Sequence, residues 1–254
     1  MYGLSVGAVF RNEVRGMKEW LDHYLLHGVE HFYMIDDDSD DGSVAVLGPY
    51  QERGLITLYQ PHCDRYLGRQ RNMYTTYLLP HLTRGETDWL LMVDLDEYLW
   101  SPLDRNLYKI LHTLCQHQLQ IQVGVTLFGS NGHLLQPPSL VAGFTRRSRK
   151  QPTDNCCKYL VHHHPDHPFS SLNIHHATFK NPEDEKPTTF MLLGPEYFRI
   201  HHYSCQSRTF WQTVKMTRGD GDHYRHRTLQ DFEDLDLNEV EDTGLLDQNL
   251  MVEE

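Results

Sequence analysis

The stretch Trp89-Leu90-Leu91-Met92-Val93-Asp94-Leu95-Asp96-Glu97-Tyr98-Leu99 runs from five consecutive large apolar residues straight into three carboxylates. The apolar run reads as a buried strand, and the acids begin where such a strand leaves its sheet. Asp94 and Asp96 are two apart, so their side chains point the same way on an extended backbone, while a turn at the strand end can fan them around one ion. A divalent cation carried by a nucleotide diphosphate is the leading ligand for such a pair. The alternative is a strand cap that starts a helix, because Asp suits turns and helix N-termini. The polar signals on either side favour the ligand-holding reading.

Upstream of that stretch, Leu4 to Phe10 reads as a first strand. Val14, Met17, Leu21, Tyr24 and Leu25 then recur at three- and four-residue steps, which predicts an amphipathic helix over 12–27 closed by Gly28. A strand at 31–35, an acidic loop at 36–42, a short helix near 43–52, a strand at 55–59 and a longer helix over about 68–81 complete a β-α-β-α-β-α-β order. That alternation predicts an α/β fold: a central, mostly parallel sheet flanked by helices, with ligands bound beyond the carboxyl ends of its strands. The loops at Asn12-Glu13, Asp36 to Asp41 and Asp94 to Glu97 all fall at those ends.

Downstream, a helix is expected near 104–117, a strand at 121–128 and the polar turn Gly129-Ser130-Asn131-Gly132-His133. Shorter strand-like pieces follow around 158–161, 172–175 and 197–203, then a helix over about 208–216. No repeat or Ser/Gly linker divides the chain. The organisation expected is one domain over 1–228, with a nucleotide-binding half at about 1–100 and an acceptor half at about 101–228, followed by an acidic tail at 229–254.

The 254 residues suffice for a full core, at 39% hydrophobic and 11% aromatic content. No apolar run of eighteen residues predicts a membrane span, and the first residues lack the basic flank of a signal peptide. Five irregularly spaced cysteines suggest reduced thiols. The expectation is a soluble, cytoplasmic protein. The net charge is −12, but ten of the 35 acids lie between Asp231 and Glu254, a segment without Lys or Arg, leaving 25 acids against 23 bases elsewhere. Nucleic-acid binding, which rests on clustered cations, is not expected. The tail reads as a solvated or loosely helical terminus.

Within the loop 36–41, Asp36 lies nearest its strand and could accept from a nucleobase or ribose, whereas the other acids read as a solvated turn. Arg69, Arg71 and Asn72 open the helix before the Asp94 strand. Arg69 could meet a diphosphate as a two-pronged donor or sit in a solvent-facing ion pair, and Asn72 could be a cap or a ligand. Among 18 histidines, His162-His163-His164 and His175-His176 alternate faces on a strand and lack C-x-x-C partners, so they read as surface or packed side chains. His201-His202-Tyr203 ends a strand-like segment ahead of a helix carrying Lys215 and Arg218, where one imidazole could join Asp96 around a cation.

Taken in order, Phe10-Arg11-Asn12-Glu13, Glu19-Trp20-Leu21 with His23, Gly28-Val29-Glu30-His31-Phe32, Asp36 with Ser39 and Asp41, Asp94-Leu95-Asp96-Glu97-Tyr98-Leu99, Phe128-Gly129-Ser130-Asn131-Gly132-His133, and His202-Tyr203 with Ser207 resemble the successive blocks of glycosyltransferase family 92. The resemblance runs from about 5 to 219. It implies a GT-A (Rossmann-like) fold, a nucleotide-sugar donor such as a UDP-sugar, a glycan or glycoprotein acceptor, Mn²⁺ (or Mg²⁺) on the Asp-X-Asp motif, and inversion at the anomeric carbon. By the family pattern Asp94 reaches ribose or metal, Asp96 the metal, and His202 the metal or diphosphate. Donor contacts are then expected from Phe10, Asn12, Glu13, Asp36, Arg69, Asn72, Asp94 and Lys215, and acceptor contacts from Gly129, Ser130, Asn131 and His133. Two positions depart from the pattern: Gln206 stands where relatives carry Lys, and Ala142 where they often carry Glu. Animal and plant relatives commonly have a membrane anchor, so this chain reads as a bacterial-like or viral-like soluble form.

The general base expected is Asp154, with Asp222 and Glu183 as rivals. A metal-dependent nucleotidyltransferase or phosphohydrolase also places paired Asp at a strand end, and a histidine-rich metal-binding module is the non-enzymatic alternative.

Overall fold

The computed structural model describes residues 1–62, 64, 66–150, 157–181, 183, 190–218 and 226–251. Its first half follows the expected alternation. β1 (Tyr2–Phe10), α1 (Val14–Leu26), β2 (His31–Asp36), α2 (Ser43–Glu52) and β3 (Ile56–Tyr59) lead into a helical run made of α3 (Arg69–Met73), a π turn (Tyr74–Leu78) and α4 (Leu79–Thr83), and then β4 (Thr87–Met92). β1 lies between β2 and β4, and β3 pairs with β2, all parallel. Every residue of β2 is buried, as continuous apolar runs must be when helices cover both faces of a parallel sheet. On α1, Met17, Trp20, Leu21 and Tyr24 form the fully buried stripe, with Lys18 and Asp22 on the outer face. The turn after α1 needs Gly28, whose φ is +87° and whose missing Cβ leaves room for Asn106 Oδ1 2.9 Å away.

The second half turns the sheet over. β5 (Glu97–Trp100), α5 (Leu107–Leu114), β6 (Gln120–Leu127), α6 (Leu140–Gly143), β7 (Arg146–Arg147), β8 (Cys157–His162), β9 (Phe169–Leu172), β10 (Ala177–Phe179), β11 (Phe190–Leu193) and β12 (Arg199–His202) precede a second helical run of α7 (Arg208–Phe210), a π turn (Trp211–Lys215) and α8 (Met216–Arg218). α9 (Leu229–Leu235), β13 (Val240–Glu241) and α10 (Gly244–Leu250) follow. The main sheet runs β3-β2-β1-β4-β8-β6-β12-β5, with β8 antiparallel to both neighbours, and β11 adds to β6. This is the α/β, GT-A-like architecture expected, mixed beyond β4.

Several local readings are corrected. Glu97 starts a strand, β5, that was not expected; Tyr98, Leu99 and Trp100 pair with β12 and bury completely or nearly so. The strand read at 172–175 ends at Leu172, in a hairpin with β10. The acidic segment after 229 is not a solvated terminus: Phe232 packs on Trp211, Leu245 is buried, and Asp242 pairs with Arg147 at 2.6 Å. Among the described residues, Cys115, Cys157 and Cys205 are buried, and no helix is long and apolar enough to cross a membrane.

Candidate active site

β1 and β4 end side by side, and the chain after β4 turns sharply through 93–96 before β5. Helix α1 braces that turn. Trp20 Nε1 donates to the carbonyls of Asp94 and Glu97, each at 3.1 Å, and the Tyr24 hydroxyl donates to Glu97 O while accepting from Leu99 N, both at 3.0 Å. A buried turn must have such partners, since each unpaired carbonyl or amide costs about 1–3 kcal/mol. The Trp20 block of the sequence is therefore a clamp on the acidic corner.

The corner's carboxylates fan apart, and each meets a cation. Asp94 Oδ2 accepts from Lys158 Nζ at 2.6 Å; the same ammonium lies 3.2 Å from Glu97 Oε2. Asp96 Oδ2 is paired with Lys215, and its Oδ1 lies 3.4 Å from His202 Nε2. His202 Nδ1 is 3.7 Å from Glu97 Oε1. Glu13, at the end of β1, pairs with Arg218, which also donates to Arg11 O at 2.7 Å. Burial alone would push the Asp96 carboxyl up, but Lys215 and His202 outweigh it and hold it well below the usual carboxylate range. Burial likewise disfavours the charged forms of His202 and Lys158. Asp96 nevertheless raises the imidazole's pKa, and Asp94 with Glu97 holds the ammonium's well above the ordinary lysine value.

Glu13, Asp94, Asp96, His202, Lys215 and Arg218 line one cleft, together with Phe10, Arg11, Asp37, Gln70 and Arg227, whereas Lys158 and Glu97 are not among its lining residues. Acids set in one cleft with the cations Lys215, Arg218, Arg11 and Arg227 suit a ligand that is anionic and can bring its own cation. Among the described residues no three or more His, Cys, Asp or Glu side chains converge as a self-sufficient metal cage. Asp96 and His202 do converge. An oxygen and an imidazole nitrogen match an Mn²⁺-type ion whose other ligands arrive with a diphosphate, since such ions bind through one or two side chains plus substrate phosphates.

The expected residues divide sharply. Phe10, Glu13, Asp94, Asp96, His202 and Lys215 meet at the cleft. Asn12, at φ +55°, exchanges two hydrogen bonds with Asp40. Asp36 accepts from Ser39 N and Gln60 Nε2. Arg69 is not solvent-facing: it is fully buried and paired with Asp37. Asn72 donates to the Tyr66 hydroxyl. None of these four side chains lines the cleft. The turn at 129–133 knits the C-terminal segment to the body: Ser130 bonds Asp236, Asn131 N donates to Asn238 Oδ1, a Cβ on Gly129 would meet that oxygen at 2.4 Å, and His133 Nε2 bonds Gly143 O. Asp154 and Asp222 lie outside the described residues, and the exposed Glu183 is not among the cleft residues. His162 stacks on Trp89 and pairs with Asp88, in keeping with a packed histidine. Lys158, Gln70 and Arg227 were not expected at the site, and Asp37, expected in a solvated turn, is buried and lines the cleft. A lysine at the head of the apolar run Tyr159-Leu160-Val161 is the one signal that pointed to Lys158, because a buried ammonium requires carboxylates.

Such a cleft, at the carboxyl ends of parallel strands, lies where open α/β sheets place their ligand sites. The chain belongs to glycosyltransferase family 92, whose model matches residues 7–239. A glycosyltransferase family 92 protein of Oryza sativa subsp. japonica is 22% identical over 218 residues, covering 84% of this chain. The chain spans 35% of that relative's length. Among solved structures, S. aureus TarS (residues 1–349) in complex with UDP-GlcNAc superposes with a TM-score of 0.46 at 14% identity, over 92% of this chain and 64% of that one. HddC from Yersinia pseudotuberculosis gives a TM-score of 0.40 at 12% identity, over 78% of this chain and 92% of its own.

Proposed function

We propose that this domain is an inverting glycosyltransferase that moves a sugar from a nucleotide-diphosphate donor, a UDP-sugar foremost, to a glycan hydroxyl, with Mn²⁺ or Mg²⁺ as cofactor. The observation that carries this reading is the Asp96–His202 pair at a cleft also lined by Lys215, Arg218 and Arg11. Family membership supports the donor class. Asp96 and His202 would hold the ion. When bound, such an ion supplies neutralisation of a leaving diphosphate.

The remaining work falls to the chain's own groups. Lys215 and Arg218 stand where they can bond phosphate oxygens as charge builds on them, and fixed donors of this kind contribute most where water is excluded. Lys158 keeps the Asp94 carboxylate oriented from behind. Trp20 and Tyr24 hold the backbone of the corner, so the acids do not need to reorganise on binding. Asp154 remains the proposed base that takes the acceptor proton in line with the leaving group.

The test is product analysis of purified protein incubated with UDP-sugars, Mn²⁺ and glycan acceptors. Release of UDP matched by a new glycoside supports the reading. Sugar phosphate and UMP without a glycoside would instead indicate a phosphohydrolase. Asp154→Asn should lower turnover by about 10²–10⁴-fold while leaving UDP binding intact; near-normal turnover would remove Asp154 from the mechanism.

A further inference from the structure

The acids of the corner are already matched, pair by pair, before any ligand is considered. Glu13 holds Arg218, Asp94 and Glu97 share Lys158, and Asp96 holds Lys215. Both Lys158 and Lys215 are nearly inaccessible, at 4% and 5% exposure. A divalent ion arriving alone would enter a pocket in which each carboxylate already faces a protein cation, Asp94 and Glu97 sharing one between them. It would also compete directly with an ammonium for Asp96 Oδ2.

Lys158 and Lys215 differ in what they could do next. The Lys158 ammonium is bound by two carboxylates on the sheet side, so it has nowhere better to go. The Lys215 ammonium is bound by one, on the face that lines the cleft with Arg218 and Arg227. A diphosphate entering that face would offer it new oxygens.

We propose that Lys215 is the exchangeable counter-ion of Asp96. It occupies the carboxylate while the cleft is empty of donor, keeps a bare divalent ion out, and passes to the diphosphate when metal and donor enter together. This rests on the metal-and-donor reading above and adds to it a thermodynamic statement: metal and nucleotide binding are positively linked, and Lys215 is the residue that links them. By reciprocity, the factor by which the nucleotide tightens metal binding equals the factor by which metal tightens nucleotide binding.

The experiment measures Mn²⁺ binding by electron paramagnetic resonance and calorimetry on the full chain, without and with saturating UDP, for wild type, Lys215→Met and Lys215→Arg, each checked for folding by thermal unfolding. Wild type should bind Mn²⁺ about 5–150-fold more tightly with UDP than without. Lys215→Met should bind bare Mn²⁺ more tightly than wild type, and its UDP linkage should shrink towards one. Lys215→Arg, which keeps the charge, should retain the linkage. If wild type shows the linkage but Lys215→Met binds bare Mn²⁺ no better than wild type, Lys215 is not the counter-ion and the proposal falls. If Lys215→Met does not fold, equal Mn²⁺ affinities of wild type with and without UDP would still overturn it. If wild type with UDP takes up no Mn²⁺ at all, the metal reading itself fails, a result distinct from both.

Discussion

Two strand ends in this molecule carry clusters of acids that look alike in sequence and differ in what holds them. After β2, Asp36, Asp40 and Asp41 accept from neutral groups, namely Ser39 N, Gln60 Nε2, Asn12 Nδ2, Val14 N and Ser43 N, while Asp37 and Asp38 between them meet Arg69 and His62. After β4, Asp94, Asp96 and Glu97 are held by ammonium and imidazole groups on other elements. A carboxylate tied to backbone amides fixes the shape of a turn and is committed to it. A carboxylate tied to a side-chain cation can exchange that partner for another cation. Asp36, Asp40 and Asp41 shape their turn, and the second cluster is available for chemistry.

The contrast is open to direct attack, most strongly at Asp96. Asp96→Ala should reduce glycosyl transfer by about 10²–10³-fold or more, the scale of losing a principal electrostatic group. Asp41→Ala, measured in the same initial-rate assay, should leave kcat close to wild type; comparable losses in both would abolish the distinction. Stability should divide the clusters in the same order. Lys158→Met strands the buried Glu97 and leaves the partly exposed Asp94 without its ammonium, and should cost about 3–5 kcal/mol in urea unfolding. Asp41→Ala removes only hydrogen bonds at a half-buried turn and should cost about 1 kcal/mol.

Acid titration of stability sharpens the comparison further. Burial would raise the Asp41 carboxyl, but bonds from Ser43 and Val14 lower it overall. Its contribution is therefore present above its unfolded-chain value of about 3.9 and is lost as pH falls through its lower folded value. His201, beside the site on β12, behaves oppositely to His202. Buried among Phe128, Trp100 and Tyr203, it is pushed down to about 3. The unfolded chain takes up that proton first, so stability is complete above about 6.5 and declines from there towards 3. His201→Phe should flatten unfolding free energies between pH 6.5 and 4, and Asp41→Asn should change only the limb below about 4. The smallest effect is expected at Asp38, whose partner His62 is exposed. Asp38→Asn should shift stability by less than about 0.5 kcal/mol.

How much of this was legible in the sequence follows from the range of each interaction. β1 to β4 are short apolar runs between polar loops, so their alternation and the place of Asp94 and Asp96 could be read directly. The meeting of Asp96 with His202 came from the resemblance to the family, since no spacing links residues so far apart. The turn at 129–133 was assigned to the acceptor by the resemblance, and its ties to Asp236 and Asn238 stayed out of view because those residues lie more than a hundred positions away. Arg69 misled for the same reason: one buried Asp37, invisible as a neighbour, absorbs its guanidinium. β5 went unread because its partner β12 lies about a hundred residues further along the chain.

The π turn that ends at Lys215 has its own consequence. Met216 N bonds Trp211 O, five residues back instead of four, so the helix carries one residue more than ordinary winding would allow. Deleting a single residue between 211 and 214 would restore a regular helix while rotating every side chain upstream or downstream by roughly 100° relative to the other. The lysine's aim towards Asp96 is thus encoded in chain length as well as in side-chain identity. Point substitutions can remove its charge, but a frame-preserving indel would redirect it.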